Sequence, residues 1–360
     1  VSTAPRVLVL SGGLIHLVNQ LAVVLERPEL RGGAAEIALL LTGAITWDPL
    51  RLAEQHRAIE RWLEQLRQLD PEAMAPVHLV REPETLEPDT YDLACLNNQW
   101  QQVQRDPCEQ LGIPTWLICG DGLGIYYRCA RELKAILPSL LNRPIPEPGR
   151  RVHTVLEGAQ PHWHRPHGPV DPVPLGTRAR LFEALVASFG AACQPFVEAC
   201  LAATQPERAL WLCSLPNLAH QFPGERLPPE LLEAWIAQLS GFDPSLDRLL
   251  LLEHPKAPAS GSFGPEPPAG VAAVLRSAVP VEVLVRTLQQ AAPGRRLVVA
   301  GLTSALYGVR SLSGAEVVWL GLRPLWTHNP RYRHHPLEFL HRLVRVRRMA
   351  WLTQRLVTPC

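Results

Sequence analysis

Lysine is nearly absent from this chain of 360 residues: Lys134 and Lys256 are the only two, and every other basic residue is arginine. That scarcity reads as a compositional habit of the source, not as a functional sign. An excess of charge is missing too. With 35 basic and 34 acidic residues, the total gives a nucleic-acid partner no support. The CxxC spacing of redox and zinc sites does not occur. The eight cysteines, at 95, 108, 119, 129, 193, 200, 213 and 360, fall mostly inside apolar patterns. There cysteine behaves as a small hydrophobe, so reduced and buried thiols and a cytoplasmic location are expected. No apolar run reaches the ~20 residues of a membrane span, and the chain is not expected to cross a bilayer. The opening VSTAPRVLVLSGG passes straight into a strand pattern, so no signal peptide is expected. Neither GxGxxG nor GxxxxGK[ST] occurs, which removes the dinucleotide fingerprint and the P-loop.

What the chain does have is proline, 36 residues or about twice the usual share. These prolines cluster in connections such as RPIPEPGR and GPEPPAG, which argues for stiff loops. The length suits two domains, each with its own core. Short β-rich runs alternate with longer helical patterns, the mark of α/β layers on parallel strands. In the first half the pattern predicts strands at 6–11, 35–43, 77–80, 91–97 and 115–119, with helices at 13–27, 50–68 and 99–111. A Pro- and His-rich segment, 140–175, carries little periodicity. A helix is expected over 176–203. The second half predicts strands at 209–214, 247–253, 281–285, 296–301 and 315–321, with helices near 228–240 and 303–309. The expected architecture is α/β and GT-B-like, two Rossmann-like domains facing a central cleft. The first would be an acceptor-side domain over 1–204 and the second a donor domain over 205–330. A basic helix over 331–360 would pack back on the first domain.

Three short patterns each lie just past a strand-like run. Gly120-Asp121-Gly122 follows TWLIC, His254-Pro255 follows DRLLLLE, and Thr303-Ser304 follows RRLVVAG. Ligands of parallel sheets bind at such carboxyl ends. The three supply a carboxylate, an imidazole and a pair of hydroxyls, the groups that glycosyl transfer from a nucleotide-activated sugar requires. Asp121 is the candidate base for the acceptor hydroxyl, with Gly120 and Gly122 letting a sugar approach closely. His254, with an ordinary pKa of about 6.5, is the candidate acid for the departing phosphate. Pro255 fixes the turn out of the strand. Thr303 and Ser304, after Gly301, offer an anion seat at a helix start. Ser11, Gly12 and Gly13 form a tight loop that is a candidate lining of the cleft. Each pattern also has an ordinary reading. Asp121 is an Asx turn or cap, His254 simply ends a strand, and Thr303-Ser304 caps a helix. The histidines at 153, 162, 164 and 167 lack cysteine or carboxylate at ligand spacing, so no metal site is expected. Tyr126 and Tyr127 line the cleft or pack on the next helix.

In this order the patterns resemble those of bacterial GT-B sialyltransferases, nearest to the polysialyltransferase and lipooligosaccharide sialyltransferase group. That group carries an acidic-acidic-Gly motif, then His-Pro, then a Ser/Thr-Ser pair. DGLGIYY and RVLVLSGGLIHLVNQL are similar to its corresponding stretches. Gly120 departs from the pattern, standing where the group has an acidic residue. Glu253 departs as well, preceding His-Pro where relatives carry a basic or small one. The resemblance implies inverting transfer of sialic acid, or a related nonulosonic acid, from CMP-sialic acid to a glycan acceptor. Asp121 would be the base and His254 the acid, with no cofactor and no essential metal. The alternatives are a GT-B enzyme using another nucleotide sugar and a catalytically degenerate nucleotide- or glycan-binding protein. Finally, 331–357 holds seven arginines and one glutamate among apolar residues, which suits peripheral contact with anionic membrane at its inner face.

Overall fold

The computed structural model describes residues 5–27, 36–42, 49–97, 102–119, 151–154, 170–218, 222, 226–254, 257, 261–263 and 270–356. The chain divides into two compact units, Val1–Ser188 and Phe189–Cys360. Among the described residues each unit has one parallel sheet, and the class is the α/β, two-Rossmann, GT-B-like pattern expected from the sequence.

The first sheet is built from β1 (Arg6–Ser11), β2 (Glu36–Leu41), β3 (Val77–Val80), β4 (Leu93–Leu96), β5 (Thr115–Ile118), β6 (Arg151–Thr154) and β7 (Val170–Pro172). Their order is β3-β2-β1-β4-β5-β6-β7, every pair parallel. Val7, Leu8, Val9 and Leu10 of β1 are wholly buried. A strand covered on both faces reads as an unbroken apolar run, which is why it was legible. Helix α1 (Leu14–Leu25) is buried along most of its length. Its Gln20 Nε2 donates to the carbonyls of Leu10, at 2.8 Å, and Cys95, at 2.9 Å. Helix α2 (Pro49–Leu69) is amphipathic, with α3 (Pro71–Met74) after it and α4 (Gln102–Gln110) between β4 and β5. Trp62 of α2 donates its indole N–H to the Leu181 carbonyl at 3.0 Å, fixing α2 against α5 (Leu175–Ser188).

The expected helix over 176–203 is two helices. The first ends at Ser188, and α6 (Gly190–Ala202) begins after Phe189, whose ψ of −1° breaks the run ahead of Gly190. In the second unit, β8 (Leu210–Ser214), β9 (Leu249–Leu252), β10 (Val271–Leu275), β11 (Leu297–Gly301) and β12 (Glu316–Trp319) pair in the order β10-β9-β8-β11-β12, all parallel. Helices α7 (Pro229–Ile236), α8 (Val281–Ala291) and α9 (Ala305–Ser313) accompany this sheet. The strand expected at 281–285 is instead the start of α8. Its apolar run continues at helical spacing, burying Leu284 and Leu288 together, and Pro280 and Glu282 mark a helix start. The strand in that part of the chain is β10, VAAVL, which sequence reading missed because two alanines dilute its β signal. The chain then runs through α10 (Arg323–His328), α11 (Pro330–His334) and α12 (Pro336–Leu356). Helix α12 packs on α9 and α11.

Among the described residues six cysteines are buried thiols, none of them in a disulfide. Burial pushes the Cys200 and Cys213 thiols up to about 12, so neither is a nucleophile at neutral pH. No single described helix is long and apolar enough to cross a membrane.

Candidate functional site

In both sheets the chain winds outward from a central strand and then returns to that strand's other side. The switch falls between β1 and β4 in the first unit and between β8 and β11 in the second. Crevices outside the carboxyl ends of such strands are where open α/β sheets hold ligands.

In the first unit this crevice is bounded by Ser11, Gly12 and Gly13. The Ser11 hydroxyl donates to the Gly13 carbonyl at 2.9 Å. The Gly12 N–H donates to Asn97 Oδ1 at 2.7 Å. Gln104 Nε2 donates to the same oxygen, and to Thr42 Oγ1, each at 3.1 Å. In return the Asn97 N–H donates to Gln104 Oε1 at 3.0 Å. Asn97 and Gln104 are buried completely or nearly so, and Asn97 Nδ2 is buried without a hydrogen-bond partner. Helix α1 then starts with no side-chain cap and no acidic residue in its first turn, leaving its first amides to neutral surroundings. Asn97 and Gln104 are the residues that sequence reasoning missed. The one signal was an amide side chain directly at the end of a buried strand.

In the second unit, Gly301 ends β11 opposite Ser214 of β8. A Cβ on Gly301 would lie 2.8 Å from the Ser214 carbonyl oxygen, so only glycine allows this approach. Leu302 is buried, Thr303 half-buried and Ser304 exposed. Thr303 Oγ1 accepts the Ala305 N–H at 3.3 Å. Ser304 occupies the N-cap of α9, yet its hydroxyl makes no capping bond, and the first turn holds no acid. The Thr303 and Ser304 hydroxyls can therefore donate to a ligand at a positive helix end, while the amides of Ala305, Leu306 and Tyr307 are bonded within the turn.

His254 stands past β9, on the same carboxyl edge, half-buried, its carbonyl accepting the Ala257 N–H at 2.8 Å. Because β8 lies between β9 and β11, the ends carrying His254 and Thr303 are about 10 Å apart at normal strand spacing. That distance suits a phosphate and the sugar it carries. Glu253, a departure noted in the sequence, turns inward. It is buried, and Oε2 accepts Arg276 Nε at 2.6 Å while Oε1 accepts the Ser262 N–H. Its carboxylate is consumed in tying the end of β9 to Ser262 before β10 and Arg276 after it. Thus the structure places His254, Gly301, Thr303 and Ser304 along one sheet edge, and Ser11, Gly12 and Gly13 along the corresponding edge of the other sheet. Asp121, Gly120, Gly122 and Pro255 lie outside the described residues, as do Tyr126, Tyr127, His162, His164 and His167. No group of three or more metal-ligating side chains occurs among the described residues.

No family model matches the chain, and no curated protein matches it. Among solved structures it is similar to E. coli heptosyltransferase WaaC with ADP-2-deoxy-2-fluoro heptose. Identity is 16%, 87% of this chain and 88% of that one are covered, and the TM-score is 0.35. It is similar to the glycosyl transferase family 9 protein of Veillonella parvula at 10% identity, covering 88% and 80%, TM-score 0.35. It is also similar to the glycosyltransferase SnogD of Streptomyces nogalater at 14% identity, covering 99% and 97%, TM-score 0.35. At these values the likeness decides nothing about donor or acceptor. The sialyltransferase resemblance is withdrawn, and CMP-sialic acid with it as the partner: the matched structures are heptosyl- and other glycosyltransferases, and no match supports that family. The physical reason is that the motifs are too short to carry a donor's identity. A His-Pro leaving a strand and a Thr-Ser opening a helix are ordinary needs of a parallel sheet.

Proposed function

We propose that this chain is a GT-B-type glycosyltransferase whose second unit holds a nucleotide sugar and whose acceptor is a glycan hydroxyl. The observation that supports it is the turn from Gly301 to Ser304. It joins a glycine-enforced close approach at the switch point to the exposed Ser304 hydroxyl, which caps nothing, and the half-buried Thr303 hydroxyl at the start of α9. A donor phosphate seated there would receive hydrogen bonds from the Thr303 and Ser304 hydroxyls at the positive end of α9. His254, on the same edge, would protonate the leaving phosphate oxygen or share its charge. Asp121 keeps its proposed role as base toward the acceptor hydroxyl. The heptosyltransferase matches make ADP-sugars the first donors to try, with UDP- and GDP-sugars beside them.

Calorimetry with ADP, UDP, GDP and CMP tests the donor site. The Thr303→Ala/Ser304→Ala double variant should bind the preferred nucleotide more weakly by about 1–3 kcal/mol, the loss of hydrogen bonds to a charged group. Unchanged affinity would remove the α9 turn from the phosphate site. His254→Ala should keep the fold and lose donor turnover, and wild-type turnover in that variant would sink its role as acid. Binding without turnover, indifferent to Asp121→Asn, would make the chain a binding protein.

A further inference from the structure

Helix α12 carries its large apolar residues on two opposite sides. Val346, Met349 and Thr353 are buried, on the side that packs toward α9 and α11. Leu337, Leu340, Val344 and Trp351 are 80%, 53%, 50% and 48% exposed. Their spacings of three, four and seven residues bring them within about 60° of one another around a helix turning 100° per residue. They form one continuous stripe, roughly opposite the packed side. Trp326, also exposed, packs at a tilt on Phe339 with ring centroids 4.7 Å apart, and with Leu337 and Leu340 of the stripe it lines one groove between α10 and α12. A helix whose core-facing side is already satisfied has no folding reason to keep a second stripe of leucine and tryptophan in water.

Charge identifies the occupant. Residues 331–356 hold seven arginines and one glutamate, and that glutamate, Glu338, is spent on Arg331 at 3.1 Å. A second copy of the chain would bring the same excess of positive charge to the contact. A nucleic acid would answer the arginines and leave the leucines in water. The surface of an anionic bilayer answers both, taking the apolar stripe into the boundary between headgroups and acyl chains and exposed arginines such as Arg333 and Arg347 onto lipid phosphates. Tryptophan at the stripe's far end suits that boundary. We propose that α12, with Trp326 beside it, is a docking surface for anionic lipid membrane. The proposal stands apart from the glycosyltransferase reading and needs no activity to test.

The test is flotation of the purified full chain with vesicles of phosphatidylcholine alone and with phosphatidylglycerol added. The expected result is binding that requires phosphatidylglycerol, weakens as salt is raised, and blue-shifts tryptophan emission. Leu340→Glu/Val344→Glu alters only exposed positions, so its circular dichroism should match wild type while vesicle binding falls at least tenfold. Arg347→Glu should weaken binding by a smaller factor. Wild type that stays unbound with phosphatidylglycerol vesicles would overturn the proposal. So would equal binding by the double variant. Two further results would replace it: self-association in lipid-free buffer abolished by the double variant, or tighter binding to a DNA duplex than to the vesicles.

Discussion

The two switch points are built to the same topological plan and finished in different materials. In the first unit the turn after β1 is held by side chains from far along the sequence. Asn97 and Gln104 lock Gly12 and Thr42 in a buried, four-membered amide-and-hydroxyl cluster. In the second unit the turn after β11 is held by backbone proximity and by residues within two positions of one another, and its Ser304 hydroxyl remains exposed. A turn fixed by a buried network is rigid before any ligand arrives. A turn with unspent donors is where a charged ligand gains most, because its hydrogen bonds replace those to water and not those within the protein.

That contrast can be broken by substitution. The largest effect is expected at Asn97→Ala, which removes the acceptor of the half-buried Gly12 N–H, weakens the hold on Gln104 and leaves a small void. Urea unfolding should register a loss of about 2–4 kcal/mol. A loss below about 0.5 kcal/mol would mean the cluster is not what orders the turn. Next comes Gly301→Ala, which drives a methyl into the Ser214 carbonyl and should cost about 1–3 kcal/mol in the same measurement. If it were neutral, the close approach at the second switch point would not be tight. Ser304→Ala should change stability by no more than about 0.5 kcal/mol, since its hydroxyl caps nothing, while still weakening nucleotide binding. A large stability loss there would erase the difference between the two turns.

The smallest effect concerns acid. His56 on α2 has its pKa lowered, first by burial and then by the positive charge of Arg81. The folded state therefore prefers the neutral ring. Its contribution is fully present above the unfolded pKa of about 6.5 and is lost as pH falls below that value. His56→Gln should flatten the acid side of the stability profile measured by chemical unfolding. An unchanged slope below about pH 6.5 would show that His56 is not the group responsible.

The sheets were legible because doubly covered parallel strands must be apolar throughout. The cores of β1, β8, β9 and β11 all appear as such runs in the sequence. The same rule produced the error at 281–285, where the run VEVLV satisfies a buried strand and a buried helix start alike. Only the continuation to Leu288 separates them. At the site, the residues at strand ends could be found from their positions. Asn97 and Gln104 could not, because the first acts on a glycine 85 residues away and the second on a threonine 62 away. Nothing local in the sequence records such a pairing. Donor identity was illegible for another reason: the nucleotide base and sugar are read by the shape of a whole pocket, whereas a phosphate is read by a single turn.

Gln20 gives α1 something its N-terminus lacks. With no cap to hold its first turn, that helix would be free to roll a few degrees about its axis. The Gln20 amide, a turn and a half further on, grips the carbonyls of Leu10 and Cys95 on two neighbouring strands at once. A double grip of this kind sets the helix's roll angle as a pin sets a dial. The first turn of α1 is thus aimed from behind, by a wholly buried residue that no ligand at the strand ends would touch.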